Sequence, residues 1–168
     1  MKPPQADEYA AFYQKYIDTV SENALAELGH QAISLPAFLK GISLDKASYA
    51  YAEGKWTIKE LVGHIIDTER IMIYRMLTFG RNDKCSLPGF EENDYVENAR
   101  FADRTLESLA DEFALLRRGN MYLVNSFNEE EINRRGIANG SPISVRALIY
   151  ILAGHVNHHR KILEERYL

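Results

Sequence analysis

Leu148, Leu152, His155, His159 and Ile162 follow one another at spacings of four, three, four and three residues. That spacing is the apolar stripe of an amphipathic helix, so the two histidines occupy positions that face a core. Imidazoles are costly there unless something satisfies them. His155 and His159 are one helical turn apart and point the same way, which makes them a clip for a metal ion. A third histidine, His64, sits on a matching stripe far upstream, beside Leu61 and Ile65. Three imidazoles meeting inside a helical bundle would hold a divalent cation and leave part of its coordination sphere open. The spacing is that of the zinc-protease HExxH pattern, but Val156 stands where that pattern needs its glutamate. His158 is rotated about 100° from His159 and should point elsewhere. His30, alone beside Gly29, reads as structural or exposed.

Four helical segments and no convincing alternating strand are legible along the 168 residues. The first runs from about Asn23 to Lys40, with Pro36 predicting a kink or a boundary. An aromatic prelude from Tyr9 to Ile17 precedes it and reads as a short helix across one end of the bundle. The second opens on a Thr57–Glu60 capping box and ends near Gly80. The third opens at Thr105, with Leu106, Leu109, Phe113, Leu116, Leu123 and Phe127 as its stripe. A turn region from Gly136 to Pro142 follows, and Ser144 caps a fourth helix reaching about Tyr167. The stretch from Arg81 to Arg104 reads as a loop with a Pro88-Gly89 turn. A connection that long either crosses the bundle or covers a site. The expected architecture is all-α, a four-helix bundle with long crossover connections, forming one domain over residues 1–168.

Charge and composition narrow the function. A hydrophobic content of 46% with 26% charged residues is that of a globular chain. The formal net charge of −4 argues against a nucleic-acid partner. Arg117-Arg118 and Arg134-Arg135 read as solvated pairs. No run approaches the roughly 18 apolar residues needed to span a bilayer, and no signal peptide is visible. Cys85, the only cysteine, rules out an intrachain disulfide and suits a reducing, cytoplasmic setting. It does not sit at a helix start and reads as inert.

The stretches GKWTIKELVGHIIDTER (Gly54 to Arg70) and SVRALIYILAGHVNHHRKIL (Ser144 to Leu163) resemble the second- and fourth-helix signatures of the DinB/YfiT-like superfamily. The segment from Leu87 to Tyr95 resembles its loop. The resemblance implies a four-helix bundle, usually a homodimer, with a divalent metal held by His64, His155 and His159. The metal would be zinc, nickel, iron or manganese. Characterised relatives include transferases that use low-molecular-weight thiols, so a thiol co-substrate attacking a small electrophilic substrate is the first expectation. A metal-dependent hydrolase is the alternative, and a non-enzymatic, dimeric stress-response metal protein is another. Asp67, Glu69 and Asn157 are candidates to orient the imidazoles. Arg75, eleven residues after His64 and on nearly the same face, either binds a carboxylate of the thiol or substrate, or makes a surface ion pair. Trp56 either walls the pocket or staples the helix start. Tyr51, Tyr95 and Tyr122 are unranked phenolic donors. The Met and aromatic residues from Ile71 to Phe79 exceed the needs of one core stripe and suit a dimer contact.

Overall fold

A computed structural model describes all 168 residues. A single helical turn, α1 (Gln14–Ile17), leads into α2 (Ala24–Lys40) and α3 (Ile58–Gly80). The short strand β1 (Ser86–Leu87) and helix α4 (Glu92–Asn98) follow, then α5 (Leu106–Ser126) and α6 (Glu129–Asn133). Strands β2 (Arg135–Ala138) and β3 (Ser141–Ser144) lead into α7 (Val145–Ile162), which continues as a π-helical turn through Tyr167. Helices α2, α3, α5 and α7 form the bundle. Each begins on a polar side chain that accepts a hydrogen bond from an otherwise free backbone N–H: Asn23 from Ala26, Thr57 from Glu60, Thr105 from Ser108 and Ser144 from Ala147. Pro36 does not end α2, which runs on to Lys40. Leu35 and Leu39, both fully buried, hold the last turn against the core despite the missing donor.

The helices do not follow chain order around the bundle. α2 packs against α5 and α7, and α3 packs against the same two. The consecutive helices α2 and α3 therefore stand at opposite corners, and the long connections carry the chain across.

The apolar core is split in two. One cluster gathers Leu28, Met76, Phe79 and the first half of α7, and the other gathers Leu35, Ile65, Phe113 and Leu163. A polar layer lies between them. Arg117 is fully buried, not solvated as its place in an Arg-Arg pair suggests. Its Nε and Nη2 donate to the two carboxylate oxygens of Glu69, each at 2.7 Å, and its Nη1 donates to Gln31 Oε1 at 2.8 Å. Asn120 donates to Glu69 at 3.0 Å. Gln31 in turn donates to the Ala153 carbonyl at 2.9 Å, tying α2, α3, α5 and α7 together at one level. Arg118 is exposed as expected.

A three-stranded sheet is present where none was expected. β2 and β3 pair antiparallel, and β1 pairs parallel with β2. The two-residue turn Asn139-Gly140 has positive φ at both positions, 51° and 72°. Asn-Gly is the dipeptide that such a hairpin turn requires, so the signal lay within the turn region of the sequence. The strands are only two to four residues long, too short to show alternation.

Candidate metal centre

His64 lies two turns into α3, and His155 and His159 lie in the second half of α7. Because α3 and α7 are neighbours, their stripes bring the three rings together. His155 Nε2 is 3.0 Å from His64 Nε2 and 3.0 Å from His159 Nε2. Nitrogens so spaced are the separation expected of adjacent ligands bonded at about 2.1 Å to one ion. All three side chains are buried.

The donor set fits a divalent cation. Three ring nitrogens face one another, and a single proton can satisfy only one of the two contacts made by His155. Lone pairs left converging in a desolvated space repel unless a cation lies among them. Burial holds all three rings neutral. It pushes His64 down to about 4, and it holds His155 and His159 well below the ordinary imidazole value, with help from the neighbouring imidazoles. Neutral imidazoles are the metal-binding form.

The rings are positioned by packing. Asp67 pairs with Arg70, Glu69 with Arg117, and Asn157 bonds Gln31, Glu27 and the Thr19 carbonyl; none of the three touches a ligand imidazole, contrary to the sequence-based expectation. Asp67 is taken up by a pair on its own helix, and Glu69 and Asn157 reach across to neighbouring helices instead. Trp56 lies against His64 with centroids 4.8 Å apart, and Tyr16 meets His155 edge-on at 5.4 Å. Tyr16 gets there because α1 presses its backbone onto α7 at Gly154. A Cβ at that position would come within 2.1 Å of the Tyr16 carbonyl oxygen. His159 Nδ1 is buried without a hydrogen-bond partner. His158 stays outside the cluster and packs on Tyr16 at 5.2 Å, and His30 is exposed.

This burial has a pH consequence for the metal-free protein. An imidazole whose folded value is depressed contributes stability that is fully present above its unfolded value near 6.5 and is lost as pH falls toward the folded value. For His64 alone, the fall from 6.5 to about 4 corresponds to about 3 kcal/mol. Urea unfolding of chelator-treated protein is expected to show a midpoint that drops steeply between pH 6.5 and 4.5. A midpoint flat across that window would mean that the rings are not buried neutral.

The cluster opens on one side. A cleft of about 240 Å³ is lined by His159 together with Trp56, Leu61, Ile162, Tyr51 and Tyr167, with Lys55, Glu92 and Asn93 contributing its polar groups. Tyr167 donates to the Trp56 carbonyl at 2.7 Å and meets the Tyr51 ring edge-on, fixing that wall. Glu92 and Asn93 open α4, so the long connection after α3 does cover the site. Trp56 is thus a wall of the cleft. Glu92, Lys55 and Tyr167 were not singled out from sequence, since exposed charges and a terminal aromatic carry no periodic signal. Arg75 is brought to neither the cleft nor a surface ion pair. It is 2% exposed and donates to the Pro88 carbonyl at 2.8 Å. Tyr95 and Tyr122 lie outside the cleft and are exposed. Cys85 is exposed, and desolvation and the Asp83 carboxylate raise its thiol above the ordinary value, in keeping with an unreactive side chain.

Comparison with known proteins agrees with this arrangement. A sequence model of the DinB superfamily matches residues 28–163. Among solved structures, YfiT from Bacillus subtilis is similar with a TM-score of 0.67 at 16% identity, over 96% of this chain and 89% of that one. That protein is described as a probable metal-dependent hydrolase with an unusual four-helix bundle topology. At such identity the likeness speaks for the fold. No curated protein matches the sequence significantly.

Proposed function

The chain belongs to the DinB superfamily, and from that premise we propose that it is a metal-dependent hydrolase acting on a small, largely apolar substrate. The observation that carries this reading is the meeting of His64, His155 and His159 nitrogens at the end of a cleft that His159 itself lines. His64, His155 and His159 would hold a divalent ion as neutral ligands, and an ion so held would lower the pKa of a water or thiol near it. The chain supplies the rest. Trp56, Leu61 and Ile162 offer apolar walls that would exclude bulk water from the substrate. Glu92 is the one carboxylate lining the cleft, and its role is to accept the proton of the attacking water. Tyr16 is pushed up to about 12 by burial and by the Glu92 carboxylate, so its phenol stays protonated near neutral pH. The description of YfiT as a probable metal-dependent hydrolase supports this choice.

Transfer of a low-molecular-weight thiol to an electrophile is the second reading. Lys55 at the cleft favours it, because its ammonium suits the carboxylate that such thiols carry. A reducing, cytoplasmic compartment belongs to either version, consistent with a free, exposed Cys85.

The test is a panel of small esters and amides, run with and without free thiols, on metal-loaded protein. Acid release without thiol consumption, lost in Glu92→Gln by about a hundredfold or more, is the result expected. Consumption of thiol with no acid released would move the assignment to the transferase. Activity that survives in His155→Ala would remove both.

A further inference from the structure

Arg75 is a second buried guanidinium, and it lacks the partner that Arg117 has. It forms no ion pair. Its Nη2 donates to the Pro88 carbonyl, and its Nη1 lies 3.9 Å from the Met72 sulfur, leaving most of its five N–H groups unanswered by oxygen. A permanent cation withdrawn from water with no anion beside it is unfavourable, and structures keep such a group where an anion completes it.

A groove of about 310 Å³ lies against Arg75. Its walls are Ile71 and Tyr74 from α3, and Leu87, Phe90 and Tyr95 from the segment after it. The far wall is fixed in place. β1 pairs Leu87 with Ala138, the Asn139 side chain packs on Gly89, and Arg75 itself holds Pro88. Phe90 and Tyr95 meet edge-to-face at 5.3 Å. Arg70 also borders the groove, but Asp67 and Glu112 already satisfy it. The site offers one open cation and otherwise apolar, mostly aromatic walls.

We infer that this groove binds a small organic carboxylate, with the carboxylate on Arg75 and an apolar body between Tyr74 and the Phe90–Tyr95 pair. The planar guanidinium fork matches a carboxylate through two parallel hydrogen bonds. Inorganic phosphate would satisfy the charge but leave the aromatic walls bare, and its heavier hydration is harder to strip. The groove shares no lining residue with the metal cleft, and Arg75 lies about 16 Å along α3 from His64. Binding here therefore does not depend on the proposed hydrolytic reaction.

Isotope-labelled, metal-loaded protein titrated with phenylacetate, phenethyl alcohol or inorganic phosphate tests the assignment by NMR. Saturable shifts at residues 70–75 and 87–95 are expected with phenylacetate, which should bind about tenfold or more tightly than its neutral alcohol. Arg75→Met should remove that preference while leaving the alcohol unchanged. Tyr74→Ala alters a side chain that is 58% exposed, so the fold is kept; it should weaken both aromatic ligands severalfold. Tyr74→Ala decides the matter if Arg75→Met fails to fold. Shifts confined to residues 54–56 and 155–162 would place the carboxylate on the metal and overturn the inference. So would phosphate binding as tightly as phenylacetate, the absence of saturable shifts, or light scattering that shows a dimer which Tyr74→Ala dissociates.

Discussion

Glu69→Ala is expected to destabilise the protein by about 3–5 kcal/mol, the cost of leaving a buried charge without its partner. Arg117 is fully buried and Glu69 is 1% exposed, so neither group can reach water when the other is removed. The guanidinium spends two of its donors on Glu69 and one on Gln31, and Asn120 adds a third hydrogen bond to the same carboxylate. Removing the carboxylate orphans Arg117 and Asn120 together. Glu69→Gln keeps the shape but loses the charge and should cost less than the alanine. The pair Glu69→Leu with Arg117→Met should recover much of the loss, because an apolar pair of similar volume avoids the desolvation that the ion pair must overcome. Urea midpoints of the single and double variants measure this. A Glu69→Ala cost below about 1 kcal/mol, the range of exposed pairs, would mean that the layer is wet.

His155→Ala is expected to abolish metal binding: metal content by mass spectrometry of untagged protein should fall from about one ion per chain to near zero. His155 is the middle ligand, since its Nε2 is the one 3.0 Å from both others. Its removal leaves His64 on one helix and His159 on another, without the clip that holds an ion while the third nitrogen closes on it. His158→Ala is the control. That ring lies on the same helix but outside the cluster, so metal content should be unchanged. Thermal stability should follow the same division. Metal added to wild type raises the midpoint by mass action, and metal added to His155→Ala does not. Equal metal content in the two variants would show that the imidazoles are not the ligands.

The site histidines were legible because they violate a rule. An imidazole at a core position stands out against Leu148, Leu152 and Ile162 at the same spacing. The helix starts were legible for a local reason, since Thr57, Thr105 and Ser144 act within four residues of themselves. The polar layer was hidden by register. Along α5 one fully buried row runs Leu109, Phe113, Arg117 at a spacing of four, whereas a reading that looks only for apolar side chains steps from Phe113 to the half-buried Leu116 and on to Leu123, and misses Val124. Arg117 then falls off the stripe and looks solvated. Glu69 and Arg117 are 48 residues apart, and no local pattern reports such a pairing. Arg75 shows the same limit. Its helical face was right for burial, but its neighbour Pro88 belongs to a loop whose path only the fold reveals. The small sheet was lost because its strands are shorter than the period needed to detect them, although Asn139-Gly140 marked its turn.

The corner-to-corner placement of α2 and α3 has a consequence for how the protein is made. α2 and α3 cannot zip together as a local hairpin, so folding must close long loops before packing rewards it. His64 and His155 are separated by 91 residues. A nascent chain released only as far as α6 has one of the three cluster imidazoles, and the other two are still to come. Cation capture is therefore a late event in biogenesis, and a ribosome-stalled intermediate should neither sequester metal nor be rescued by it.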